Sequence, residues 1–120
     1  MNLTTKEIVA IHVMDTVAHA SGPVLLETLA AGIGRKPGYV QQITFKLVTA
    51  GLLGNVRGIG GGYVLTRPAK AIKLPEILSA VAGPYMGQAD DWTDRMVQIN
   101  ERFRGWMEPL TKRTALDLSS

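Results

Sequence analysis

Val56-Arg57-Gly58-Ile59-Gly60-Gly61-Gly62-Tyr63-Val64-Leu65 is the stretch whose reading decides the fold. Apolar, β-favouring residues flank a tip with four glycines, so the segment predicts two strands joined by a turn too bare to carry bulk. The tip lies in a region of one charge sign. Residues 28–75 hold seven basic side chains, Arg35, Lys36, Lys46, Arg57, Arg67, Lys70 and Lys73, and no carboxylate. The rest of the chain carries six basic residues against ten acidic ones, and the two parts sum to the formal charge of +3. Such segregation points to a polyanionic partner more than the total does, and nucleic acid is the leading candidate over a merely solvated basic surface.

Working towards the amino terminus, Pro37 to about Ala50 predicts a helix with Val40, Ile43 and Leu47 on its buried stripe. At about 100° per residue, Gly38, Gln41, Gln42, Phe45 and Thr49 fall on the opposite face, with Tyr39 and Lys46 at its margin. Gly51 is placed to end that helix in a left-handed conformation. Before it, Leu26, Leu29, Ala30 and Ile33 follow helical spacing in a second helix expected to begin at Pro23 and stop at Gly34. A first helix starts after Thr4, because Thr4 and Glu7 have the spacing of a capping box. Its Ile8, Ile11, Met14 and Val17, with Val9 and Val13 beside them, predict burial on more than one side. Two helices around a short turn, then strands Leu52 to Arg57 and Tyr63 to Arg67, make a winged helix-turn-helix.

Beyond the wing, Leu74 begins a helix with Pro75 near its start and Ile77, Leu78 and Val81 apolar, ended by Gly83-Pro84. A connecting loop over 84–91 precedes a last helix in which Trp92, Met96, Ile99, Phe103, Trp106 and Leu110 form a heptad seam. The fold class expected is mostly α with a small β-hairpin: a DNA-binding domain over 1–83, the loop, and a dimerisation helix and tail over 92–120. The seam could instead fold back as a core stripe, but two tryptophans and a phenylalanine would otherwise leave a large apolar patch exposed. Pro109 is expected to end or kink the last helix, and Asp91 and Asp94 to cap it.

The residue types suit DNA. Gln41 and Gln42 carry amides able to pair bidentately with an adenine edge. Tyr39 and Lys46, at the margin, are placed to bond phosphates, which fixes register, and Lys36 is a further candidate DNA contact. Arg57 stands at the base of a tip where Gly60 and Gly61 let backbone approach closely while a guanidinium enters a narrow, electronegative minor groove, and Gly38 on the helix is a further candidate contact. A loose turn is the plain alternative for the glycines. A dinucleotide site fits worse, since Tyr63 stands where the last glycine of that motif belongs. Phe45 either touches a thymine methyl or packs beneath the wing.

The run Tyr39-Val40-Gln41-Gln42-Ile43 through Lys46-Leu47, then Ala50-Gly51-Leu52-Leu53, Val56-Arg57-Gly58, Gly60-Gly61-Gly62-Tyr63, Leu65, Ile72 and Ile77 to Val81 resembles the Rrf-two (Rrf2) family of bacterial winged-helix transcription regulators. The resemblance covers about residues 3–83. It implies a homodimer on a partly palindromic double-stranded operator, with the third helix in the major groove and the wing in the minor groove. The chain departs from the family in two places. Lys36, Pro37 and Gly38 precede Tyr39 where many relatives have serines, and Gln41 replaces a glutamate, so base preference is not carried over. Many relatives also sense iron, nitric oxide or redox state through three cysteines between wing and dimer helix. Gly83 to Trp92 has none, so no cofactor is expected.

Composition bounds the remainder. There is no cysteine, hence no disulfide, thiolate-held metal or thiol switch. No stretch approaches the roughly 18 apolar residues of a membrane span, and no secretory signal is visible, so a cytoplasmic location is expected. His12 and His19, two turns apart, are expected to pack or edge the core rather than bind metal or sense protons. No nucleophile, base and orienting group converge, so no enzyme is expected. The preferred reading is a dimeric, sequence-specific transcription regulator, a repressor without a cluster. The alternatives are a winged-helix protein-interaction module, or a sensor for a small-molecule or protein effector at Tyr85 to Trp92.

Overall fold

The computed structural model describes residues 4–82. Their element order is α1 (Thr5–His19), α2 (Leu26–Ile33), α3 (Pro37–Thr49), β1 (Leu53–Val56), β2 (Gly62–Leu65), a single 3-10 turn (Ala69–Ala71) and α4 (Leu74–Ala82). This is a winged helix-turn-helix: mostly helical, with one antiparallel hairpin. The long seam at Trp92 to Leu110, the loop before it, and Asp91 and Asp94 all lie outside the described residues.

The capping box at the start of α1 forms as expected. Thr4 N–H donates to Glu7 Oε1 (2.9 Å) and Glu7 N–H donates to Thr4 Oγ1 (3.2 Å), so each side chain satisfies a backbone donor that the helix leaves open. Val9, Ala10, Ile11, Val13, Met14 and Val17 are buried, and Ile8 is half-buried. Burial on several sides follows from position, because α1 packs against α2, α3, α4 and β2. The rest of the core comes mainly from Leu29, Val40, Ile43, Leu47, Leu52, Ile72, Ile77 and Leu78.

α2 begins later than the sequence suggests. Pro23 does not open it; the helix starts at Leu26 after an extended Leu25. The reason is non-local. Val24 N–H donates to Tyr63 O (3.0 Å) and Tyr63 N–H donates to Val24 O (2.8 Å), a reciprocal antiparallel bridge that holds this part of the linker extended. Gly34 stops α2 in the left-handed region (φ 80°), as its position predicts.

The hairpin pairs Leu53 with Leu65, Gly54 with Val64, Asn55 with Tyr63 and Val56 with Gly62. Both strands are shorter than the sequence runs suggest. The second ends before Arg67, because that side chain turns to Glu76 (2.7 Å) and Pro68 follows it. Gly62 lies at the crossing of wing and linker. Its φ is 147°, and a Cβ there would sit 2.6 Å from the Val24 carbonyl carbon and oxygen. A Cβ on Gly61 would collide with the Val56 carbonyl. The glycine run is therefore a steric requirement.

Gly62→Ala is expected to lower unfolding free energy by more than about 2 kcal/mol, through strained backbone and loss of the Val24 bridge. Gly32→Ala, which meets nothing within 4 Å in α2, should leave stability equal or raised. Urea denaturation of the two variants checks the pair.

Candidate nucleic-acid interface

α3 presents the face that its periodicity predicts. Gly38, Gln41, Gln42, Phe45 and Thr49 are exposed, while Val40, Ile43, Thr44 and Leu47 are buried. Tyr39 and Lys46 are half-buried at the margin. Lys36 is the N-cap residue and exposed, with Pro37 in the first turn where its missing N–H costs nothing. The Arg35 guanidinium stands 5.9 Å from the centre of the Tyr39 ring, so cation and aromatic share the start of α3.

On the wing, Arg57 is exposed just past the end of β1, and Gly60 is exposed at the tip. Gly61 differs: it is buried beneath the turn. Phe45 resolves one of its two expectations. It is 69% exposed, too open to be packed beneath the wing, and lines a hollow of about 1030 Å³ between the start of α1, α3 and the end of α4.

Two of the seven central cations are engaged elsewhere. Arg67 donates to both Glu76 carboxylate oxygens (2.7 and 3.4 Å) and to the Ala71 carbonyl (2.8 Å). This pairing holds the Glu76 carboxyl below the usual carboxylate range. Lys46 Nζ donates to the Val81 carbonyl at 3.5 Å, where its charge complements the C-terminal end of α4. Lys70 and Lys73 remain exposed.

A buried polar residue of α3 escaped the sequence reading. Thr44 is fully buried, donates to the Gln41 carbonyl (3.0 Å) and is hydrogen-bonded to the Tyr63 hydroxyl at 3.0 Å. Its position supplies the signal that could have found it. With Val40 and Leu47 it lies on the buried stripe of α3, and a buried hydroxyl needs a partner.

These features fit a known group. A family model described as "Rrf2: Iron-dependent Transcriptional regulator" matches residues 3–116. The chain belongs to the Rrf2 family. An 83-residue stretch, 68% of this chain, is 41% identical to the ORF2 product of Azotobacter vinelandii, named as an HTH-type transcriptional regulator. The same length is 40% identical to the HTH-type transcriptional regulator IscR of Escherichia coli K12. In both cases the match covers 51% of the relative, so the chain spans about half the length of these proteins. Among solved structures, the fold resembles CymR, the global cysteine regulator of B. subtilis, with TM-score 0.67 and 24% identity over 98% of each chain. No described helix of this Rrf2 protein is long and apolar enough to cross a membrane.

The family description raises the question of iron. The 120 residues contain no cysteine, so a thiolate-held cluster does not fit this donor set. Among the described residues, no group of three His, Cys, Asp or Glu side chains gathers as a ligand set. His12 is half-buried on α1 and His19 exposed at its end. His19 Nδ1–H donates to the Asp15 carbonyl (2.9 Å) and passes 3.1 Å from Asp15 Oδ1. That oxygen is buried and has no well-directed hydrogen bond.

Burial pushes the Asp15 carboxyl up from its ordinary 3.8 to about 6, with His19 opposing the rise. The folded state thus binds this proton more tightly than the unfolded chain does. Its stabilising contribution is complete below the unfolded pKa and is lost as pH rises through about 6. Asp15→Asn should therefore be more stable than wild type at pH 7, with the advantage shrinking towards pH 4. Urea midpoints measured across that range check the sign.

Proposed function

We propose that this chain is a dimeric, sequence-specific DNA-binding transcription regulator acting as a repressor, without an iron–sulfur cluster. The observation that carries the reading is a stretch of chain without a carboxylate that holds both the exposed face of α3 and the wing. Gln41 and Gln42 face outward on α3 and Arg57 stands on the adjoining wing, with no carboxylate anywhere in residues 28–75. α3 would enter the major groove, where the two amides read base edges. Lys36, Tyr39 and Lys46 would bond phosphates, and Gly38 lets the backbone come close. The 3.5 Å contact from Lys46 to Val81 is at the outer limit of a hydrogen bond, so exchanging it for a phosphate costs little. Arg57 would lie in the minor groove, with Gly60 allowing close approach and Gly61 shaping the tip.

Dimerisation is assigned to residues 92–120, through the seam of Trp92, Met96, Ile99, Phe103, Trp106 and Leu110, with residues 84–91 as connection and 1–83 as the DNA-binding domain. A dimer covering an operator in the cytoplasm blocks polymerase, which favours repression. With no thiol to oxidise, the signal would be a small molecule or protein engaging Tyr85 to Trp92.

Affinity for DNA should fall steeply with salt, since each neutralised phosphate releases counterions. Arg57→Ala is expected to weaken operator binding by about 1–3 kcal/mol and to flatten the salt slope. Gln41→Ala should change base preference more than affinity for random DNA. Fluorescence-anisotropy titrations at several salt concentrations separate the two, and wild-type retention by Arg57→Ala would remove the wing from the interface.

The seam is tested apart from DNA. An unpaired carboxylate in an apolar interface costs several kcal/mol, so Phe103→Asp should give folded monomers. Light scattering that still reports a dimer would place the interface elsewhere.

A further inference from the structure

Ile59 is a large aliphatic side chain that contributes nothing to its own fold. It is fully exposed at the end of the wing. It nonetheless sits in a defined turn. Gly61 N–H donates to the Gly58 carbonyl (3.0 Å), closing a four-residue turn with Ile59 and Gly60 at its centre. Gly60 has φ 79°, and Ile59 has none of the positive φ that glycine alone tolerates. This is the pattern of a type II turn, in which the third position requires glycine and the second projects its side chain outward. A β-branched residue in that second position is stiff at χ1. The hairpin is therefore built to hold one rigid apolar group at its extremity, two residues from Arg57 and within a region whose charges are all basic.

A duplex minor groove matches this arrangement. Its rims are phosphates, its walls are apolar sugar carbons, and at about 6 Å wide it admits one side chain from a tip that is otherwise glycine. Its floor distinguishes base pairs by one group only, the 2-amino donor of guanine. Aliphatic carbon laid over that amino group would strip it of water and offer no acceptor, whereas A·T pairs present no such donor.

We propose that Ile59 is a specificity-determining residue that lies on the minor-groove floor beside Arg57 and selects A·T pairs by excluding the guanine 2-amino group. This rests on the DNA-binding reading above and adds to it a contact that reads bases where Arg57 supplies charge.

The test uses the full chain and a duplex that it selects from a random library. Each A·T pair is replaced in turn by G·C and by inosine·C, which keeps the major-groove oxygen of G·C but lacks the 2-amino group. At one or more A·T pairs, G·C should lower wild-type affinity by about tenfold, the weight of one unmet buried donor, while inosine·C leaves it near that of A·T. In Ile59→Ala this gap should close, with the salt slope unchanged because no charge has been removed. Ile59→Val should retain the gap. If the gap persists in Ile59→Ala, or no A·T position distinguishes G·C from inosine·C, while Arg57→Ala still weakens binding, the proposal is overturned and the wing remains on DNA. If Arg57→Ala and Ile59→Ala both bind as wild type, or no duplex is selected, the functional reading falls and the proposal falls with it.

Discussion

Tyr63 fixes where the wing stands, and the geometry of the surface depends on it. Its backbone exchanges two hydrogen bonds with Val24 ahead of α2, and its hydroxyl reaches Thr44 inside α3. A two-stranded hairpin is only marginally stable alone, so these attachments turn an appendage into part of the domain. They also bind one residue of the wing to the linker before α2 and to α3. The offset between Gln41 on α3 and Arg57 on the hairpin is thereby set by short, directional contacts rather than by a hinge. Gly62 is the condition for this, because any side chain there would occupy the space of the Val24 carbonyl.

What could be read in advance was what the chain encodes locally. The Thr4–Glu7 capping box, the buried stripe of α3, the stop at Gly34 and the presence of the hairpin all rest on residues within a turn or two of each other, and each stands as expected. The start of α2 was misplaced because Pro23 is a good first helical residue by local rules, while a partner 39 positions away keeps Val24 extended. A separation of 19 positions likewise hid the Thr44–Tyr63 bond. Of the surface residues anticipated for DNA, most are exposed where periodicity puts them. Gly61 is the exception, since three glycines in a row read as looseness when the middle one is packed against Val56. Asp15 was missed for a different reason. A carboxylate on an apolar helix face ordinarily marks the solvent side, and only the packing of α1 on four neighbours shows that this one is enclosed.

Charge counted along the sequence also overstates the charge that faces outward. Arg67 is spent on Glu76 and the Ala71 carbonyl, and such a half-exposed pair adds little to stability. Its consequence is local order. Glu76 also accepts from the Lys73 N–H (2.9 Å), so one carboxylate ties the strand exit to the start of α4. Lys46 closes the other end of α4 through Val81. With these two engaged, Arg35, Lys36, Arg57, Lys70 and Lys73 remain as exposed cations. Three of them, Arg35, Lys36 and Arg57, stand just before α3 and just past β1. A protein that binds by charge alone gains most from cations spread evenly. In the reading proposed above they accompany a small set of uncharged groups, Gln41, Gln42 and Ile59, which would discriminate between base edges while contributing no long-range attraction. On that proposal attraction and discrimination would be carried by different residues, a division of labour that sequence-specific DNA binding requires.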